Sequence, residues 1–391
     1  MVTKRFSAPI DRRDFLRYAG YTGVTVSMAS VLAACREAET PSGGTQGSAQ
    51  ASIPPIEEEP GNLEVFDWSG YGDGTYYPGK EKKYLWGQYA EETGDTPKFI
   101  LFKNDDNAYT EVVAGARYDV AHPYTYKYQD WVDLGVLQPW DTSLIPNFPA
   151  LNPKLEASGV INGEQYFIPV DWGFIAPIIN ADHVEPAEES FGILFDDRYA
   201  GKISWVDTLN MMYIAGLYQG AADPFDMTDD ELTAARDFLI EKKHLVKFLW
   251  NQSFELWQAF KREEVWIGYA WPDTAGYAGA AGMNYRYMQP KEGRVSWVGG
   301  FGLFADTPNY HHAHAYVNSW ASTQAADFLV AWYYYGHTNT EVDLSVLPQG
   351  VIDALGLDNM PAVLDPPNAI PEAYIPRRDL YQQYWSEVLA A

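Results

Sequence analysis

Leu63-Glu64-Val65-Phe66-Asp67-Trp68 is the stretch that decides the fold. Its apolar and aromatic residues read as a strand, and the pattern after it alternates. Lys80 to Thr93 reads as a helix, Pro97 to Lys103 as a strand, Asp106 to Ala116 as a helix and Tyr118 to His122 as a third strand. Strands that alternate with helices predict an α/β chain with parallel strands and right-handed crossovers. In such folds ligands sit beyond the carboxyl ends of the strands.

Further along, Thr228 and Glu231 form a capping box that opens a helix running to about Lys243, and Ser253 begins another. Val265 to Trp271 reads as a buried strand. Aromatics gather at the predicted strand ends. Trp68 closes the first strand with Tyr71 in its loop, Tyr124 and Tyr126 follow the third, and Trp271 closes the later one. Aromatic faces placed there can stack on alkyl chains or on cations.

Upstream, Arg12-Arg13 precede an uncharged stretch from Tyr18 to Ala34 that ends at Cys35, the single cysteine of the chain. The stretch is short for a membrane span. Together with Leu32-Ala33-Ala34-Cys35 it resembles a twin-arginine lipoprotein signal, which implies lipidation of Cys35 and an outer-face or periplasmic location. Asp11 stands where that motif has Ser or Thr, so the general secretory route stays open. Residues 36–61, rich in Ser, Gly, Pro and Glu without aromatics, read as a disordered tether.

The chain carries 27 Lys and Arg against 53 Asp and Glu, a net charge of -26, and five of those basic residues lie before residue 36. Such a surface repels phosphate, which excludes nucleic acid as a partner, and it concentrates cations around the protein. With no cysteine beyond Cys35, the rest has neither internal disulfide nor thiol nucleophile.

Five ordered segments carry a family resemblance. They are Asp67-Trp68-Ser69-Gly70-Tyr71, Tyr118-Asp119-Val120-Ala121-His122-Pro123-Tyr124-Thr125-Tyr126, Ile168-Pro169-Val170-Asp171-Trp172-Gly173, Glu264 to Trp271, and Pro290 to Trp297. In these the chain resembles the spermidine- and putrescine-binding proteins of ABC importers. The resemblance implies a two-lobed, periplasmic-binding-protein-like fold of type II, each lobe a mixed, mostly parallel sheet flanked by helices, with a ligand cleft between the lobes. It implies residues 62–170 plus about 299–335 in one lobe and 171–298 plus about 336–391 in the other. It also implies a monomer that hands a small cationic ligand to membrane permease and ATPase subunits, without a cofactor.

Carried over residue by residue, the resemblance assigns Trp68, Tyr71, Tyr126, Trp271 and Trp297 to aromatic walls, with Tyr124 in place of a family serine, and Asp207 to an amine-binding carboxylate. Three expected acids are absent: Gly70, Asn210 and Gly299 stand in their places. A buried ammonium without an anion costs several kcal/mol, so other acids must step in. Asp273, two residues after Trp271, is the first candidate; Asp67 and Asp171 are secondary candidates that read first as structural. A smaller cation, either a monoamine or a quaternary ammonium, is the alternative ligand.

An enzyme is not expected, because no Gly-x-Ser-x-Gly elbow, His-Glu-x-x-His pair or phosphate-cradling loop occurs. His311, His312 and His314 follow Pro308 on a predicted surface loop with no carboxylate partner in sequence, so they are not assigned to a metal. Tyr333-Tyr334-Tyr335 reads as a helix face against the core. Gly276, Gly279 and Gly282 read as close packing of a helix.

Overall fold

The alternation expected from Leu63 onward is realised in the computed structural model, which describes residues 55–74, 82–365 and 369–391. Strand β1 (Glu64–Trp68) lies parallel to both β2 (Lys98–Phe102) and β3 (Val120–Ala121), with helices α1 (Gly87–Thr93) and α2 (Asp105–Val113) between them in sequence. Val65 and Phe66 point to opposite faces of β1 and both are fully buried, as a strand covered on both sides requires. The first helix starts later than expected. Lys80 and Glu81 lie outside the described residues. Tyr84 packs on Trp86 at 4.2 Å, and Trp86 Nε1 donates to Gly72 O, so this stretch packs as a turn before α1.

Two long strands organise the rest. They are β4 (Phe167–Asn180) and, after β5 (Ile203–Val206), β6 (Val246–Trp250) and β7 (Ile267–Ala270), the strand β8 (Arg294–Phe304); β9 (Ala369–Pro371) lies near the C-terminus. Every residue of β4 and β8 is buried. The two pair antiparallel, with a bulge between Gly299 and Gly300. At one end β8 joins β3, and at the other β4 joins β7, which runs parallel to β5, itself parallel to β6. Two parallel sheets thus share a pair of through-running antiparallel strands, and the chain is a mixed α/β protein of two lobes.

The apolar clusters divide in the same place. Val65, Val120, Val170, Phe301 and Trp320 share one core, and Phe66, Trp131, Phe167 and Phe304 pack on the other face of that sheet. Trp172, Ile178, Trp205, Tyr213, Tyr269, Val298 and Trp385 belong to the core of the second lobe. Its helices include α3 (Asn210–Gln219), α4 (Asp229–Lys242), α5 (Ser253–Lys261) and α6 (Pro272–Ala280). In α4 the expected capping box is formed in both directions between Thr228 and Glu231. The first lobe is completed by α7 (Tyr310–Trp320) and α8 (Thr323–Tyr333), and the chain ends in α9 (Arg378–Ala390) against the second.

Three further sequence expectations change. The predicted tether is structured at its end: Glu59 is buried, and its carboxylate accepts the backbone N–H groups of His311 and His312 at the start of α7. An anion satisfies the free donors and the positive end of that helix. His311, His312 and His314 therefore lie on a helix rather than a loop, with His312 and His314 buried. Tyr333-Tyr334-Tyr335 is not one helix face. α8 ends at Tyr333, and Tyr334 adopts a left-handed conformation (φ 60°) that turns Tyr335 onto Trp297. Gly276 admits that turn, since a Cβ there would stand 2.0 Å from the Tyr334 ring.

Candidate ligand-binding cleft

Where β4 and β8 pass between the lobes, aromatic residues from separate strands meet. Trp68, at the carboxyl end of β1, stacks on Tyr124 at 4.8 Å, and Tyr124 stacks on Trp297 of β8 at 4.9 Å. Tyr335 meets Trp297 edge-on at 5.1 Å. Trp68 Nε1 donates to His122 O, which fixes the first ring. An isolated bridge between Tyr124 and Gly299 places the middle one. Tyr126 follows at 6.4 Å from Tyr124 and marks the edge of a small cavity.

That cavity has about 10 Å³ of free volume and is lined by Tyr126, Asn210, Tyr213, Glu372 and Arg378 among others. Its walls are polar in a defined way. The Tyr126 hydroxyl donates to Asp105 Oδ2 at 2.8 Å, and the Tyr124 N–H donates to Asp105 Oδ1 at 3.0 Å. Tyr213 donates to Glu372 Oε1 at 2.6 Å. The Arg378 guanidinium lies 5.3 Å over the Tyr126 ring and pairs with Asp106. This pair ties α9 of the second lobe to α2 of the first.

Behind the aromatic stack lies a second polar group. His122 donates or accepts through both ring nitrogens, with Nδ1 2.9 Å from Asp67 Oδ1 and Nε2 3.1 Å from Asp171 Oδ1. Tyr71 donates to Asp171 Oδ2 at 2.5 Å. His122, Asp67 and Asp171 have no exposed side-chain surface. Burial pulls the imidazole down, but the charges of Asp171 and Asp67 and the bonds to them outweigh it and push His122 up to about 10. One imidazolium between two carboxylates leaves this wall anionic.

The remaining site residues named from sequence are spread over the second lobe. Trp271, half-buried, meets Trp250 edge-on at 5.0 Å just before α6. Asp273, in the first turn of α6, accepts from Ser253 Oγ at 2.5 Å and from the Thr274 N–H at 2.8 Å. Asp207 follows β5 and accepts from Trp385 Nε1 at 3.2 Å. Tyr126 and Asn210 are brought together in the cavity; Trp68, Tyr124 and Trp297 form the stack that Tyr126 adjoins, and Tyr71 lies apart from it against His122 and Asp171. Cys35, Arg12 and Arg13 lie outside the described residues. Asp105, His122, Glu372 and Arg378 lie outside the set expected from the sequence. Asp67 inside an apolar strand was the available signal for His122, since a buried carboxylate needs a partner.

His311, His312 and His314 are engaged by protein groups. Nδ1 of His311 meets Glu59, Nδ1 of His312 meets the Tyr89 hydroxyl at 2.9 Å, and His314 bonds Tyr310 O and the Asp141 N–H. Among the described residues no group of three or more His, Cys, Asp or Glu is placed to hold a metal ion. Among the same residues no helix is long and apolar enough to cross a membrane.

Three buried carboxylates share a consequence. Burial pushes Asp105 and Asp273 up to about 6 and Glu372 up to about 7. A group whose folded pKa is raised contributes stability that is present below its unfolded pKa, near 4, and is lost as pH rises through the folded value. The ligand-free protein is therefore expected to melt at a lower temperature at pH 8 than at pH 5. A scan of melting temperature against pH in one buffer series checks this, and a flat or rising curve over that window contradicts it.

Two α/β lobes on a shared strand pair, with aromatic rings and acids meeting at the crossover, define the periplasmic-binding-protein-like fold of type II. Residues 84–351 match the family described as bacterial extracellular solute-binding protein, and the chain belongs to that family. It is 25% identical over 234 residues to the spermidine/putrescine-binding periplasmic protein of Escherichia coli (strain K12), covering 59% of this chain and 67% of that one. It is 25% identical over 297 residues to the putrescine-binding periplasmic protein SpuD of Pseudomonas aeruginosa (strain UCBPP-PA14), covering 71% and 77%. A solved structure described as a putative spermidine/putrescine ABC transporter from Listeria monocytogenes superposes with a TM-score of 0.71 at 19% identity, covering 84% of this chain and 99% of that one.

Proposed function

We propose that this protein captures a small cationic amine of the polyamine class between its lobes and delivers it to the permease of an ABC importer. The observation that carries the reading is the aromatic stack Trp68, Tyr124 and Trp297, flanked by the buried acids Asp105, Asp171 and Glu372. Ring faces attract an ammonium and its methylenes, and buried carboxylates supply the counter-charge that a desolvated cation needs. The names of the relatives point to the same ligand class.

In this reading residues 62–170 with about 299–335 move as one lobe and 171–298 with about 336–391 as the other. The lobes hinge where β4 and β8 cross, and opening releases the ligand. Lipidated Cys35 and the tether after it hold the protein at the outer face of the membrane, where as a monomer it meets permease and ATPase subunits. Capture and release of the ligand by this protein are non-covalent. Trp271 and Asp207 face the ligand from the second lobe.

The test is a fluorescence titration with spermidine and putrescine on the unaltered protein and on Trp271→Ala. Loss of one cation–π partner, of order 0.5–2 kcal/mol, is expected to weaken binding about tenfold while the far-ultraviolet circular dichroism spectrum is unchanged. Equal affinity in the two proteins would remove Trp271 from the site.

A further inference from the structure

The small cavity contains a carboxylate that makes no ion pair among the described residues. β9 runs parallel to β8 with Pro371 opposite Ser296, and the Glu372 N–H donates to Ser296 O at 2.8 Å. This register sets Glu372 beside Trp297, the last ring of the aromatic stack. The side chain is 8% exposed and its Oε1 accepts from Tyr213. Among the described residues Glu372 makes no ion pair, and the cation lining the same cavity, Arg378, acts on it only from a distance because its guanidinium is committed to Asp106. An acid this deep is costly unless a cation joins it.

Asn210 lines the same cavity. It opens α3 and stands where the resemblance had led us to expect an acid. We propose that Glu372 is the carboxylate that receives the ligand's ammonium group in this protein, supplying from the C-terminal segment the charge absent at Asn210. The proposal rests on the amine reading above and specifies it further. Arg378, fixed by Asp106 and lying over Tyr126, is a built-in cation lining the same cavity, so the cavity takes one ligand charge and not two. A free volume of about 10 Å³ fits a group the size of a water molecule. A primary ammonium has that size, and a trimethylammonium head does not.

The experiment is calorimetric titration with putrescine, spermidine and choline on the unaltered protein, on Glu372→Gln and on the double variant Glu372→Gln with Asn210→Glu. Gln keeps the shape and the acceptor for Tyr213, so the fold is retained. Putrescine or spermidine is expected to bind Glu372→Gln at least tenfold more weakly. Affinity should return to within about threefold of the unaltered protein when the charge is moved to residue 210, and choline should bind none of the three. Unchanged affinity in Glu372→Gln, or no recovery in the double variant, overturns the assignment of Glu372 while leaving the amine reading standing. Choline binding in place of the primary amines overturns the size argument and the proposal with it. No amine binding by the unaltered protein overturns the amine reading itself, and this proposal falls with it.

Discussion

Replacing His122 by alanine is expected to destabilise the protein by about 3–5 kcal/mol at pH 7, because it strands two buried carboxylates. Asp67 and Asp171 each bond one imidazole nitrogen, and neither carboxylate has exposed surface. Asp67 Oδ2 has no hydrogen-bond partner and Oδ1 accepts from the Trp68 N–H besides meeting His122, so the imidazolium is its one charged partner among the described residues. The ring also stacks on Phe301 at 4.2 Å, which adds a packing loss. The charge contribution has a defined pH dependence. The folded-state pKa of His122, about 10, lies above its unfolded value, so the stability it supplies is fully present below about pH 6.5 and is lost as pH rises through 10. Urea denaturation of both proteins at pH 7 and pH 10 is expected to show a large gap at the first and a smaller one at the second. Adding Asp171→Asn to His122→Ala should recover part of the loss. A penalty below 1 kcal/mol at pH 7 would contradict the ion-pair account.

Gly299→Asp, which restores an acid at the position where the resemblance expects one, is expected to cost about 3 kcal/mol or more and to abolish amine binding. Gly299 lies opposite Asp171 in the β4–β8 ladder. A Cβ at residue 299 would stand 2.2 Å from Asp171 Oδ1 and 2.9 Å from His122 Nε2, so even Gly299→Ala is expected to be poorly tolerated. Aspartate adds a third carboxylate to a group already one charge in excess. The Asp171 side chain occupies the space that a side chain at 299 would take, so the anionic wall is kept by an acid from the facing strand. Exchanging the two, Asp171→Gly with Gly299→Asp, should recover much of the lost stability as measured by thermal denaturation. A Gly299→Asp protein as stable as the unaltered one would show that the space is not shared.

The alternation from Leu63 to His122 was legible because buried parallel strands and their helices carry distinct periods. The helix starts at Thr228 and Ser253 were legible because caps are local chemistry. The aromatic ends of the strands, Trp68 and Trp271, were visible for the same reason. What the sequence hid depends on distant pairing. Glu372 reaches the cavity only because β9 adds to β8, about 75 residues away in sequence, and nothing in Ala369-Ile370-Pro371 announces that register. Glu59 caps α7 from a stretch whose composition reads as tether, since a single carboxylate supplies the missing acceptor. Tyr334 ends its helix in a conformation that an aromatic residue rarely takes, and Gly276 on another helix makes room for it.

The account stands or falls on whether the cleft takes an amine. Its most direct test is the melting temperature of the protein alone and with millimolar spermidine or putrescine, beside an uncharged control of similar size such as 1,4-butanediol. A ligand at 100 times its dissociation constant adds about 2.7 kcal/mol, worth several degrees in a chain of this length. A rise of that size with either amine and none with the control is the predicted result, and no rise with either amine would contradict the account.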